Sequence, residues 1–377
     1  MATVRVGLIG CGFIGRFHSW AIRGAIKLGL VDAEFVGVCD VQEERAREFA
    51  NVVGAPFITT DPQQIIASPE INTVYVCTPT VYHKELVLAT VAAGKHIFCE
   101  KPLAAELADV REMCAAVQRA GVVHQVGLVL RHSPIFTVLK SLTEDPALGR
   151  PMAVIFRDDQ FFPVGGHYAS TWRADHRLAG RGTLLEHSIH DMDLLRWLCG
   201  EPALLRAETR FFSGREMVED LGTVHLEFQS GALGTLFSIW HNILRRPSTR
   251  RLELFFENGY FAVDHDFFGP IHYELDDTPA EVLPEKEVRE RYLALIGLTD
   301  PIFKEAPELY SLADHFFLKA VQEGKPAHPD FGLALRAHEL LDAVYRSAES
   351  GREVRLPEPE GRPTWRPQQA GLEPPPD

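Results

Sequence analysis

Two periodicities in one chain predict a two-part fold: a doubly wound parallel α/β sheet over residues 1–126, then an α+β half over residues 127–356 with a large, mainly antiparallel open sheet and helices. Up to about residue 126, short apolar runs alternate with helical patterns, and strand alternating with helix implies a parallel sheet covered on both faces. Beyond Arg131 the runs lengthen and alternate polar with apolar, the pattern of antiparallel strands. Length agrees, since 377 residues, 46% of them hydrophobic, exceed what one core absorbs.

The strands of the first part are "VRVGLI", "EFVGVC", "TVYVC", "HIFCE" and "VVHQVGL", separated by helical segments such as "QEERAREFANVVG" and "VREMCAAVQRAG". In the second part the pattern predicts a helix over 134–143, a strand over 151–160 and one helix across 183–199. The strands "ALLRAETRFF", "GTVHLEFQSG", "ALGTLFSIWHN", "RRLELFFENG" and "YFAVDHDFFG" follow, with "NG" and "SG" as turn signals. Residues 309–323 and 331–349 read as closing helices, and the tail over 357–377 is too rich in proline to fold alone.

A net charge of −14 argues against a protein that tracks nucleic-acid phosphates and favours small-molecule chemistry. No run approaches the ~18 apolar residues of a membrane span, and the opening "MATVRVGLIG" reads as a strand rather than a targeting segment. A soluble, cytoplasmic protein is therefore expected. Cys11, Cys39, Cys77, Cys99, Cys114 and Cys199 form no CxxC pair, which fits reduced thiols acting as small buried hydrophobes.

"VRVGLIGCGFIG" sets Gly10, Gly12 and Gly15 directly after a strand and at the start of a helix, with Phe13 and Ile14 in the same cofactor-binding segment. In that context a GxGxxG motif lets backbone N–H groups approach a dinucleotide pyrophosphate at a helix N-terminus, the Rossmann arrangement. Asp40 ends the second strand, a little beyond the usual spacing of about 20 residues. Its carboxylate can accept from ribose hydroxyls and would repel a 2′-phosphate, favouring NAD over NADP; capping the next helix is its plainer role. "CTPTVYH" and "CEKP" end later strands, on the carboxyl edge where ligands of open α/β sheets bind, and this gives Lys101 a possible cationic role beside the nicotinamide.

The stretch "EHSIHDMD" packs titratable groups against the apolar "LLRWL". On a continuous helix Glu186, His190, Asp193 and Trp197 fall in one narrow stripe. Facing a cleft, that stripe would give a base, His190, with Glu186 orienting it and Asp193 contacting a hydroxyl-rich substrate. A metal site and a purely structural cluster are the rivals; no third ligand motif supports the metal, and His187 reads as structural. His132, His167, His176 and His241 carry no assignment.

The ordered set "GLIGCGFIG", "VCTPTVYH", "EKP", "VGLVLRHSP" and "WRADHRLAGRGTLLEHSIHDMDLLRWLCG" resembles the Gfo/Idh/MocA family of NAD(P)-dependent oxidoreductases over nearly the whole chain. The resemblance implies that Lys101 and His190 are catalytic, that Thr78, Pro79, His83 and Glu100 lie near the cofactor, and that Arg131, Trp172 and Arg173 lie near the cleft. The chain departs from the commonest pattern with Glu186 for Asp, Ser188 for Gly and Arg181 interrupting the glycine run. The expected activity is NAD-dependent interconversion of a secondary alcohol and a ketone on a sugar, cyclitol or related polyol, in a homodimer or homotetramer, with no metal. The alternatives are a transient-redox lyase or glycosidase that keeps its NAD, and a non-catalytic NAD-sensing regulator; retention of both Lys101 and His190 counts against the sensor.

Overall fold

The computed structural model describes residues 3–165, 170–243, 245–276, 278–298 and 312–357. The proline-rich tail from residue 358 onward, His167 and the start of the helix expected over 309–323 lie outside the described residues.

Six parallel strands, β1 (Val4–Ile9), β2 (Ala33–Cys39), β3 (Phe57–Thr59), β4 (Thr73–Val76), β5 (His96–Cys99) and β6 (His124–Val126), form a sheet in the order β3-β2-β1-β4-β5-β6. Helices α1 (Phe13–Lys27), α2 (Glu43–Val53), α3 (Pro62–Ala67), α4 (His83–Ala92) and α5 (Leu107–Ala120) connect them. Helices on both faces explain why β4 is buried along its whole length and reads as an unbroken apolar run. Strand order reverses between β1 and β4, so the connections leave in opposite directions and open a crevice at the carboxyl ends.

The second part begins with α6 (Pro134–Leu142), whose first turn is capped by Ser133, and β7 (Pro151–Phe161). Three short helices follow, α7 (His176–Ala179), α8 (Thr183–Glu186) and α9 (Ile189–Cys199), then β8 (Pro202–Arg210), β9 (Leu221–Phe228), β10 (Leu233–His241), β11 (Thr249–Phe256), β12 (Gly259–Val263), β13 (Ile271–Leu275) and β14 (Glu281–Leu283). Helices α10 (Glu285–Leu295), α11 (Ala313–Glu323) and α12 (Phe331–Ser350) and strand β15 (Val354–Arg355) complete the described chain. The nine-stranded sheet runs β14-β13-β12-β11-β7-β10-β9-β8-β15, antiparallel except where β7 lies parallel to β10. Its inner face buries Val154, Phe156, Leu236, Leu252 and Leu254, and α8, α9 and α12 pack on that side. The opposite face leaves Ile155, Leu233 and Phe237 exposed.

Beyond short elements such as β3, β14 and β15 that the sequence reading did not list, three departures from it bear on the site. The helix expected across 183–199 is broken at His187–Ser188: Thr183 and Ser188 both bond Ser238 of β10, and the Ser188 N–H reaches back five residues to the Thr183 carbonyl. The strand expected over 260–269 ends at Val263, where the chain leaves the sheet and brings Asp266 to Arg250. The closing helices return to the first sheet: α11 packs on α1 and α12 on α5, with Phe317 of α11 against Tyr75 and Phe98. All six cysteines are free thiols, and among the described residues no helix is long and apolar enough to cross a membrane.

Candidate active site

One cavity of about 930 Å³ runs from the crevice beside β1 to the inner face of the second sheet. Gly10, Gly12, Phe13, Ile14, Asp40, Thr78, Pro79 and Glu100 line one end; Lys101, Gln160, Trp172, Arg173, Glu186, His187, His190, Trp240, Arg250 and Asp266 line the other.

At the first end the residues fit a dinucleotide. Gly10 has φ +101°, and a Cβ there would lie 2.4 Å from the Cys77 carbonyl oxygen, so no other residue is accommodated. Gly15 packs under that loop, where a Cβ would meet the Gly10 oxygen at 2.2 Å, whereas one on Gly12 would meet nothing within 4 Å. The loop is thus braced from below and open above, the shape through which N–H groups can approach a pyrophosphate. Asp40 sits at the rim, where its carboxylate accepts from the main-chain N–H of Cys11 at 3.0 Å and of Gln42 at 2.9 Å. Arg45 approaches the same carboxylate at 3.4 Å, a cation that the sequence reading passed over. His83 does not line the cavity; its ring sits between the two loops that do, its nitrogens 2.8 and 2.9 Å from the carbonyl oxygens of Pro102 and Thr78, and burial lowers its pKa, so the neutral ring donates to one of them.

The other end is polar and deeply buried. Lys101 donates from Nζ to the Glu186 carbonyl oxygen at 2.6 Å. Burial and the neighbouring Arg173 lower the Lys101 pKa, against the opposing pull of Glu186 and Glu100. His190 is held well below the ordinary imidazole range by burial, with Lys101, Arg250 and His187 adding to the effect, so it is neutral at pH 7. Its Nδ1 is buried without a hydrogen-bond partner among the described residues. His187, read from sequence as structural, also faces the cavity; its Nε2 lies 3.3 Å from an Asp158 oxygen but too obliquely for a hydrogen bond.

The break in the expected helix redirects two further side chains. Glu186 does not orient His190: its carboxylate accepts from Thr80 Oγ1 at 2.7 Å and Arg173 Nε at 3.2 Å, and Arg173 in turn lies over the Trp172 ring. Asp193 does not reach the cavity, nor does Arg131; they form a buried bidentate pair at 2.6 and 2.8 Å, with the Arg131 guanidinium over Trp197.

Arg250 was missed by the sequence reading. Fully buried, it donates to Asp191 at 2.6 Å and Asp158 at 3.0 Å and pairs with Asp266 at 2.7 Å. Burial pushes Asp191 up to about 8, more than Arg250 pulls it back. The signal was present: Arg250 shares the inward register of Leu252 and Leu254, and Asp158 and Gln160 that of Val154 and Phe156. A charge repeated on an apolar face marks a buried partnered group. Among the described residues no group of three or more His, Cys, Asp or Glu side chains converges as metal ligands.

A doubly wound sheet with a braced glycine loop, opening on buried acid–base groups, defines an NAD-binding oxidoreductase. Residues 4–128 match the family described as "Oxidoreductase family, NAD-binding Rossmann fold", and residues 136–262 match the "GFO/IDH/MocA C-terminal domain". The chain belongs to the Gfo/Idh/MocA oxidoreductase family. It is 33% identical over 401 residues to levoglucosan dehydrogenase of Pseudarthrobacter phenanthrenivorans, covering 95% of this chain and 99% of that one. It is 29% identical over 367 residues to myo-inositol 2-dehydrogenase of Thermotoga maritima, covering 94% and 99%. A solved levoglucosan dehydrogenase in complex with NADH and levoglucosan superposes with a TM-score of 0.83 at 25% identity, over 95% of this chain and 100% of that one.

Proposed function

We propose that the protein is an NAD-dependent dehydrogenase that interconverts a secondary alcohol and a ketone on a sugar, cyclitol or related polyol, with His190 and Lys101 as catalytic residues. The observation that carries this reading is the convergence of Lys101, from the end of β5, and His190, from α9, on one buried cavity whose other end holds the glycine loop. The substrates named by its relatives, levoglucosan and myo-inositol, support the substrate class.

In the oxidative direction the substrate hydroxyl loses its proton while its carbon loses a hydride. An NAD held at the glycine loop and Asp40 would supply the hydride acceptor. His190 takes the hydroxyl proton, for which a buried neutral imidazole is suited at pH 7. Lys101 donates to the same oxygen and stabilises its alkoxide charge, which a low-dielectric site strengthens. Glu186 holds this arrangement together: its carbonyl fixes Lys101 Nζ and its carboxylate fixes Arg173. Trp172 and Trp240 give the cavity apolar lining suited to a sugar ring, and Gln160 and Arg173 offer hydrogen bonds to hydroxyls.

The assembly that fits this reading is a homodimer, or a tetramer of dimers, in the cytoplasm. Its support is the outer face of the second sheet, where Ile155, Leu233 and Phe237 lie exposed on adjacent strands. The test of function is a panel of myo-inositol, levoglucosan, sugars and sugar acids with NAD and NADP, followed by absorbance of the reduced cofactor. Stoichiometric accumulation of NADH with one class of polyol is expected; NAD binding without turnover on any of them overturns the proposal.

A further inference from the structure

His18 lies outside the cavity and takes no part in the proton transfer described above, yet it is among the most constrained titratable groups in the chain. The imidazole, on α1, is wholly inaccessible to solvent and sits between two carboxylates from distant segments. Its Nδ1 lies 2.9 and 3.1 Å from the two oxygens of Asp314 on α11, and its Nε2 lies 2.8 Å from Glu100 Oε1. With both carboxylates ionised, satisfying one at each ring nitrogen takes two N–H groups, which only the imidazolium has. Burial opposes that charge, but Asp314 and Glu100 outweigh it and raise the His18 pKa to about 10. Phe98 and Tyr75 close around the ring at 4.8 and 5.8 Å.

Glu100 is the link to the cavity. Its second oxygen accepts the main-chain N–H of Lys101 at 3.1 Å, and Gly127 leaves it room, since a Cβ there would lie 2.3 Å from the carboxylate. Burial would raise the Glu100 pKa; the hydrogen bond and charge of His18 lower it instead, with a smaller contribution from Lys101. Without His18 a carboxylate this deep would have reason to take up a proton.

We propose that His18 and Asp314 are positioning residues of the active site, which hold Glu100 as an oriented carboxylate beneath the Lys101 main chain and so keep the Lys101 ammonium charged and in place. This rests on the catalytic reading of Lys101. Facing Lys101 are Glu100, Glu186, Arg173 and Arg250, and beyond them His187 and His190. Among the described residues the charged groups facing His18 are Asp314 and Glu100, with Tyr75 beside the ring and Cys77 beside the two carboxylates as neutral groups whose own ionisation burial pushes far up. The two carboxylates raise the Lys101 pKa and the two arginines lower it, so protonating Glu100 would leave the arginines ahead.

The test is a double-mutant cycle of His18→Gln and Glu100→Gln on the full chain, with the kcat pH profile taken on NAD and whichever of myo-inositol or levoglucosan the enzyme turns over. His18→Gln is expected to lower kcat about tenfold at pH 8 and to move the alkaline limb of the profile to lower pH by about one unit. Asp314→Asn should do the same more weakly, and in the Glu100→Gln background the His18→Gln effect should vanish. In selectively ¹⁵N-histidine-labelled apo protein, one imidazole should stay protonated at pH 8 and lose that signal in His18→Gln, a readout independent of turnover. An unmoved alkaline limb, or full additivity of the two substitutions, overturns the proposal. If Lys101→Ala itself kept normal turnover, the catalytic reading would fail instead, and the imidazolium signal would be unaffected.

Discussion

At the scale of single residues, the candidate site depends on which groups carry charge at neutral pH. His190 is neutral because it is buried beside three cationic or imidazole neighbours, and Lys101, whose pKa burial and Arg173 lower, is held to the Glu186 carbonyl. His190→Ala and Lys101→Ala are each expected to lower kcat by on the order of a hundredfold or more with little change in NAD affinity, measured by fluorescence titration. Near-normal turnover in His190→Ala would mean that the proton leaves by another route. Glu186→Gln should cost less, because its carbonyl, which holds Lys101, survives the change. A chelator should leave the rate unchanged; loss on chelation with recovery on a divalent ion would replace this chemistry with a metal site. Cofactor choice is also a residue-scale matter. Asp40 should favour NAD, and Asp40→Ala should raise catalytic efficiency with NADP by about tenfold or more, because it removes the like charge and leaves Arg45 to meet a 2′-phosphate. Unchanged NADP kinetics in Asp40→Ala would remove Asp40 from that role.

At the scale of elements, α1 and α11 are joined through a charge. The unfolded chain releases the His18 proton near pH 6.5, whereas the folded chain keeps it to about 10. The native state therefore binds more protons across that window, and the stability His18 contributes is full below pH 6.5 and is lost as pH rises through 10. Tm should fall between those pH values in the unmodified protein, and the fall should flatten in His18→Gln; parallel Tm curves for the two proteins would contradict the linkage. The same helix carries Phe317, fully buried against Tyr75 and Phe98 at ring distances of 5.6 Å. Truncating it to Ala removes a buried aromatic from the seam between α11 and the first sheet, a change that costs about 3–5 kcal/mol in comparable cores.

At the scale of the whole molecule, two sheets with opposite habits meet at one cavity. The parallel sheet has both faces covered; the mixed sheet covers one face with α8, α9 and α12 and leaves apolar side chains on the other. Leu233 lies opposite Ala153 on that outer face, and Phe237 opposite Arg157, so the exposed residues form one patch. A second copy of the chain is the expected cover, with a dimer or larger assembly in light scattering at micromolar concentration. Replacing both Leu233 and Phe237 by Glu should drive it toward monomer by placing charges in an apolar interface. A wild-type monomer at that concentration would refute the assembly.

The amino-acid sequence alone determined the sheet classes, because hydrophobic period is a local property, and it determined the glycine loop, because Gly10 and Gly15 answer steric demands within one strand–turn–helix unit. It also brought Lys101 and His190 into view through motifs. It could not determine where Glu186 and Asp193 point, since a helical stripe assumes an unbroken helix and the break at His187–Ser188 is imposed by Ser238, 50 residues away from Ser188. Nor could it pair Arg250 with Asp158 and Asp191, or His18 with Asp314 across a separation of 296 residues. Such partners are chosen by desolvation: a charge carried into the core must find its counter-charge wherever the fold has brought one, and only the tertiary structure decides where that is.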